Sequence, residues 1–406
     1  MTITTGYIGI DAAKTFHKIC IKNQHKRTLI PIFEIEDSAD GFDALRSTMD
    51  ALKEQHQLSM FMVGIESTGT YHVHLLDWLR QQADVIASLL NPLQTHHYLR
   101  SDMRRASTDS VSAELIAQFM VERTPKPTKF VGMDYETVKR LASHLHGLTK
   151  QKSATMNRLR ELVSLQWPSF ERTFHNFNAK QVLALLTVVQ TPKEFLTYSP
   201  DSLKHVTVLG TSYTLRSNFL KTVTTLAEHE RTTITSLQPA YIIRSLAEQV
   251  MFFLQQIDQV TEELKRTFAN TTDQEVPLLA TINGVGTVSA MVFTAAIGDP
   301  HRFSSTKQIV SYFGLSPRIK QSGTSVVGRG YVQKKGSPLI RFYLFNCVLS
   351  MIRNPKHPIG VFYKRLVDEG KEKMVAIIAC MRKLAILMLA ILQSNTPFHF
   401  QSQLPV

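Results

Sequence analysis

Apolar and polar positions recur with two different periods along this chain, and the change of period divides it. Up to about residue 122, short β-branched runs alternate with stretches of helical spacing. Strands are expected near 6–11, 17–22, 60–66 and 84–89, with helices near 41–54, 71–82 and 109–122. That order is α/β. Thr124-Pro125-Lys126-Pro127-Thr128 reads as a boundary, because its prolines suit neither a helix interior nor a central strand. From about residue 134 the reading is mainly helical. A long helix rich in Lys and Arg covers 134–166 and stops at Trp167-Pro168. A looser segment, 168–240, contains a proline-led helix start at Thr191-Pro192. Ile243, Leu246, Val250, Phe253, Ile257, Val260 and Leu264 then alternate spacings of three and four, an a/d seam of about three heptads. Such a seam either joins two chains or packs on its own domain. The expectation is a homodimer or tetramer through a coiled coil at 243–264. The resulting division is 1–123, 124–275, 276–395 and a tail at 396–406.

Charge changes this picture more than composition does. The 406 residues are 43% hydrophobic and 19% charged, as in ordinary globular proteins, and the net charge is +13. A basic balance of this size favours a polyanionic partner, either nucleic acid or an anionic membrane surface. Between Asp299 and Asp368 there is no Asp or Glu, while Arg302, Lys307, Arg318, Lys320, Arg329, Lys334, Lys335, Arg341, Arg353, Lys356, Lys364 and Arg365 all fall there. Tyr312, Phe313 and Tyr331 in the same stretch argue for a folded basic surface. No apolar run reaches roughly 18 residues, so no membrane span is expected. The first residues lack a basic segment leading into an apolar one, so a cytoplasmic location is expected. The 3 cysteines, Cys20, Cys347 and Cys380, have no metal-ligand spacing and read as small buried thiols of a reducing compartment.

The candidate chemistry begins with acids at strand ends. Tyr7-Ile8-Gly9-Ile10-Asp11 and Phe61-Met62-Val63-Gly64-Ile65-Glu66 are buried-type strands that each deliver a carboxylate at the tip. Two-metal phosphodiester chemistry needs several carboxylates converging on Mg²⁺ or Mn²⁺. Asp109, opening the helix at Ser107-Thr108-Asp109-Ser110-Val111-Ser112, is a third candidate; it reads equally as a cap or first-turn acid. Gly284 and Gly286, between two helical runs, resemble a helix-hairpin-helix turn. Its backbone amides and the next helix start can hold a phosphate, although a plain tight turn has the same pattern. Ser322, in Gln321-Ser322-Gly323, reads alone as a turn residue. Its basic surroundings, Arg318, Lys320, Arg329, Lys334 and Lys335, would suit charge developing on a phosphate.

These blocks resemble the DEDD transposases of bacterial insertion sequences, the IS one-ten family, whose relatives include Piv-type invertases. The likeness runs through Tyr7-Ile8-Gly9-Ile10-Asp11, Gly64-Ile65-Glu66-Ser67-Thr68-Gly69-Thr70-Tyr71, Asn91-Pro92 and Thr108-Asp109. It continues in Gly284-Val285-Gly286, Ile297-Gly298-Asp299, Arg302-Phe303, Tyr312-Phe313-Gly314-Leu315-Ser316-Pro317-Arg318 and Gln321-Ser322-Gly323. The resemblance implies a RuvC-like, ribonuclease-H-type α/β domain with four acids, a helical coiled-coil linker, and a mainly α C-terminal domain with an essential serine. It puts Asp11, Glu66 and Asp109 on the first three acids and Ser322 on the serine, taken in the family to be a nucleophile on a DNA phosphate. Mg²⁺ or Mn²⁺, DNA partners and, in part of the family, a structured guide RNA are implied as well. The fourth acid position is held here by Ser112, a neutral and weak ligand. Glu114 lies about 140° further round the helix than Asp109 and points away; Asp102 precedes the helix. The expectation is a transposase or site-specific recombinase of bacterial type. The alternative is a nucleic-acid-binding descendant that has lost catalysis.

Overall fold

A computed structural model of the chain describes residues 4–66, 71–90, 95, 98, 109–125, 133–230, 240–269, 274–318, 321–322, 326–327, 331–332 and 336–398; of 109–112, 133–135 and the described residues in 317–332 it describes the backbone alone. The chain divides into two compact units, Met1–Phe130 and Val131–Val406.

The first unit is built on a five-stranded mixed sheet. Its strands are β1 (Thr5–Asp11), β2 (Phe16–Asn23), β3 (Thr28–Glu36), β4 (Met60–Glu66) and β5 (Val85–Leu90), in the order β3-β2-β1-β4-β5. β2 runs antiparallel to both β1 and β3, whereas β4 and β5 continue parallel to β1. Period-two alternation sends Ile8 and Ile10, Ile19 and Ile21, and Phe61, Val63 and Ile65 to one face. That face is covered by α1 (Ala39–His56), through Phe42, Leu45, Met49 and Leu52, and by α2 (Val73–Arg80), through Leu75, Leu76 and Leu79. Ser38 caps α1 by accepting from the Gly41 amide. Strand β3 is not signalled by the pattern, because Pro31 interrupts it. Pro31 falls where the β2–β3 register shifts, on an edge strand, the place where a missing N–H does least harm.

The opposite face of the sheet carries α3 (Asp109–Arg123), and the fit depends on two glycines. Gly9 and Gly64 are register partners on β1 and β4. A Cβ on Gly9 would overlap the Ala113 carbonyl oxygen and the Ala117 nitrogen, and one on Gly64 would lie 2.7 Å from Met120. Only hydrogen at both positions lets the helix backbone rest on the sheet. Lys22, almost fully buried, locks the arrangement by donating to Glu114 at 3.0 Å and to Thr28 at 3.0 Å.

The second unit is mostly helical and has two cores. Its helices are α4 (Met133–Gln166), α5 (Pro168–Thr173), α6 (Lys180–Val188), α7 (Pro192–Phe195), α8 (Ser217–His229), α9 (Ala240–Ala269), α10 (Glu275–Ala280), α11 (Thr287–Ile297), α12 (Thr306–Tyr312), α13 (Pro338–Ile352), α14 (Pro358–Asp368) and α15 (Lys373–Ser394). A small hairpin, β6 (His205–Val208) with β7 (Thr211–Thr214), interrupts the looser segment. The long helices α4 and α9 run antiparallel and bridge the cores. Met156, Leu159 and Val163 meet Ile243, Leu246 and Val250 in one core, while Val138 and Ala142 join Leu264 and Phe268 in the other. The a/d seam is therefore used at both ends inside the chain, and Phe253, Ile257 and Val260 in its middle are half-buried. Helix α15 is long and apolar enough to span a bilayer by length and composition. Here it is the central helix of the second core, burying Cys380, Leu384, Ala385, Met388 and Leu392. The three cysteines are free and buried.

Two predictions follow from these contacts. Gly9→Ala should cost about 3 kcal/mol of first-unit stability through backbone overlap, read as lost hydrogen-exchange protection in β1 and β4; unchanged protection would show that α3 can retreat. The second concerns Asp84, ahead of β5. It accepts from Arg46 at 2.9 Å and from Lys53 at 2.7 Å, and Arg46 holds its carboxyl at about 2, below the usual 3.8. A depressed folded-state pKa means the stabilisation is present above about pH 4 and is lost as pH falls towards 2. Asp84→Asn should flatten the acid limb of a stability–pH profile over that window, and an unchanged limb would assign acid sensitivity elsewhere.

Candidate active site

The two strand-end acids meet by register. Ile10 pairs with Ile65, so Asp11 and Glu66 are the next residues on adjacent parallel strands. Alternation places them on the same face as Gly9 and Gly64, the one covered by α3. Both side chains are partly exposed and have polar partners. Thr95, nearly fully buried, donates its hydroxyl to Glu66 Oε2 at 2.9 Å.

Helix α3 runs antiparallel to β1. Its C-terminal Glu122 pairs at 2.8 Å with Lys26, at the β2–β3 turn beside the start of β1, whereas Ala113 and Ala117 lie over Gly9. From Ala113 back to Asp109 is about 6 Å of helix, and from Gly9 forward to Asp11 is about 7 Å of strand. The backbone of residue 109 therefore reaches the height of the two carboxylates. The side chains of Asp109 and Ser112 lie outside the described residues. Glu114 is committed to Lys22, in keeping with its expected direction, and Asp102 is outside the described residues.

Two neighbours of this site were not singled out from the sequence. Lys18 is the register partner of Asp11 and shares its face of the sheet, with its ammonium 4.0 Å from Glu34. The alternation of Lys18, Cys20 and Lys22 against Ile19 and Ile21 carries that signal. Thr95 carries none, because its partner is 29 residues away in sequence. The donors here are carboxylate and hydroxyl oxygens, a set that suits a hard cation such as Mg²⁺. Among the described residues no three His, Cys, Asp or Glu side chains converge as a metal cluster.

In the second unit, Gly284 sits at φ +95° in the turn between α10 and α11, and a Cβ there would lie 2.7 Å from Met351. The turn is closed by the Val285 amide donating to Ile282 O at 2.9 Å. Gly286 precedes α11 with open space around it, and no side chain caps that helix start. The motif residues beyond it build a platform. Asp299 accepts from the His301 amide, the Arg302 guanidinium lies 4.7 Å from the ring centres of Phe303 and Tyr312, and Gln393 of α15 donates to the carbonyls of Pro300 and Phe303. Ser322 lies on a short strand. β8 (Pro317–Arg318) pairs antiparallel with β11 (Tyr331–Val332), and β9 (Gln321–Ser322) pairs with β10 (Val326–Val327), so that Ser322 faces Val326 in register. Paired β-branched valines favour extended backbone there. The side chains of Arg318 and Ser322, and all of Lys320, Arg329, Lys334 and Lys335, lie outside the described residues. Arg341 is half-buried, and its Nη1 donates to the carbonyls of Phe313 and Gly336 at 3.1 and 2.8 Å.

A family profile described as a transposase, of the DEDD IS110 type, matches residues 8–168, and a second, the transposase IS116/IS110/IS902 family, matches residues 276–363. The chain is 28% identical over 394 residues to the pilin gene-inverting protein of Moraxella bovis, covering 97% of each. It is 22% identical over 402 residues to an uncharacterized 44.8 kDa protein of insertion element IS116 from Streptomyces clavuligerus, covering 97% of this chain and 96% of the other. Over 125 residues it is 26% identical to the transposase of insertion sequence element IS1328 from Yersinia enterocolitica, 30% of this chain and 36% of that one. The chain belongs to the IS110-type transposase family.

Proposed function

We propose that this protein is a transposase or site-specific recombinase that cuts and rejoins DNA strands with Ser322 as nucleophile. The observation that carries the proposal is the shared face and register of Asp11 and Glu66 beneath the start of α3. The sheet order, with an antiparallel β2–β3 arm followed by parallel β4 and β5, supports a RuvC-like reading of the first unit. Asp11, Glu66 and Asp109 would hold Mg²⁺ or Mn²⁺, which when bound supplies charge neutralisation at a phosphate. Lys18, beside Asp11, would hold a non-bridging phosphate oxygen.

In the step itself, Ser322 Oγ attacks phosphorus and forms a serine–phosphate ester with the 5′ side of the break. The bond to the 3′ oxygen breaks, and that oxygen leaves as a hydroxyl with the proton the serine gives up. Rejoining reverses this: a 3′ hydroxyl attacks the ester and Ser322 regains its proton. The basic stretch around the Ser322 hairpin and the turn at Gly284 and Gly286 would contact phosphates. The half-buried middle of the α9 seam, with Phe252 exposed beside it, would join copies of the chain. A second reading, a DNA- or RNA-binding descendant without catalysis, is favoured by Ser112 at the fourth acid position.

Ser322→Ala should lower strand exchange by on the order of 10³-fold or more while DNA affinity stays the same. Unchanged recombination would remove the serine from the mechanism. Ser112→Asp should raise exchange in the presence of Mg²⁺. A protein inactive before and after that change, yet binding DNA, would establish the descendant reading instead.

A further inference from the structure

Glu66 ends β4 opposite Leu90, the last residue of β5, so the chain that leaves the sheet at Leu90 starts out beside a carboxylate. Further on, Thr95 is helical and almost fully buried, and its hydroxyl donates to Glu66 Oε2 at 2.9 Å. Threonines within the helices of this chain often return their hydroxyl to the carbonyl four residues back, as Thr149, Thr222 and Thr261 do. The Thr95 hydroxyl reaches 29 positions back, to the tip of a strand. An ionised carboxylate only accepts, so the hydroxyl supplies the proton and the sense of this bond is fixed. With Oε2 held, the plane of the carboxylate is held, and with it the direction in which Oε1 faces. The burial of Thr95 keeps solvent from competing for its donor.

A second contact holds Thr95 itself in place. Tyr98 is also helical, at the spacing that puts two residues on one helix face. Its ring meets Phe119 of α3 edge-on, 5.3 Å between centres, and its hydroxyl bonds the Glu122 carboxylate. Glu122 is fixed in turn by Lys26 at 2.8 Å and by Gln118 at 3.1 Å. One face of the segment after β5 therefore touches β4 at Glu66 and α3 at Phe119 and Glu122. Asp109 opens that same helix. A segment anchored on both keeps the direction of Glu66 in step with the helix that carries the third acid. Carboxylates that ligate a cation are oriented by outer partners of this kind, and losing one typically costs on the order of ten- to a hundredfold in affinity.

We propose that Thr95 is a positioning residue, whose hydroxyl sets the orientation of the Glu66 carboxylate towards a divalent cation shared with Asp11 and Asp109. The inference rests on the reading of these three acids as ligands of Mg²⁺ or Mn²⁺. It is independent of the chemistry assigned to Ser322. Thr95 touches neither the cation nor DNA in this role and acts only through Glu66.

The test is Mn²⁺ binding by the full-length protein in the absence of DNA, followed by electron paramagnetic resonance of the free ion. Thr95→Val keeps the shape of the side chain and removes its donor; it should weaken the tightest site about tenfold with the melting temperature little changed. Thr95→Ser and Thr95→Ala differ from each other by one oxygen, so they separate the hydroxyl from packing even where the valine variant does not fold. The serine variant should bind nearly as the unmodified protein does, and the alanine variant as weakly as the valine one. Equal weakening in Thr95→Ser and Thr95→Ala would assign the effect to packing and overturn the inference. Donor-less variants that bind Mn²⁺ as tightly as the unmodified protein would also overturn it, while leaving the three-acid reading in place. An unmodified protein that binds no Mn²⁺ would remove the three-acid reading, and this inference with it. Strand exchange is not read in the experiment, so no outcome bears on Ser322.

Discussion

Everything proposed for the first unit depends on how closely α3 approaches the sheet. Two glycines in register, one on each of the central parallel strands, set that distance. The helix is then held from sliding by Lys22 and Glu114 on one side and by Lys26 and Glu122 towards its end. Lys22 is almost fully buried, so losing Glu114 would leave its charge without compensation, and the pair serves more to fix position than to add stability. The result is a ruler. Each strand end carries its acid two residues beyond the glycine, and the helix start lies four residues before the alanine that touches it.

This is why the strand-end carboxylates could be read from sequence and other parts could not. A short apolar run with Gly-Ile-acid at its end states both the strand and the direction of its last side chain, because alternation leaves no freedom. Thr95 states nothing of the kind: its value comes from Glu66, which only folding brings near it. Strand β3 was hidden by Pro31, whose penalty is small at an edge bulge. The seam at 243–264 shows the opposite difficulty. Its spacing was plain, yet spacing names no partner, and its two ends are met by α4 of the same chain.

The basic C-terminal stretch shows how charge counted along a sequence differs from charge available at a surface. Arg302 stays exposed over the rings of Phe303 and Tyr312, whereas Arg341 is half-buried and bound to two carbonyls, and burial pulls its pKa down. Arg341 thereby ties the end of α12 to the residues before α13.

The placement of α15 has a consequence for the order in which the molecule can be made. The sheet, its flanking helices and the glycine-set contact are all complete once Arg123 has been synthesised, so the carboxylate face can form early on the ribosome. The second core cannot close until Lys373–Ser394 is present, because Gln393 reaches back across 93 and 90 residues to Pro300 and Phe303. A growing chain would therefore hold Asp11 and Glu66 in place well before its second core can close.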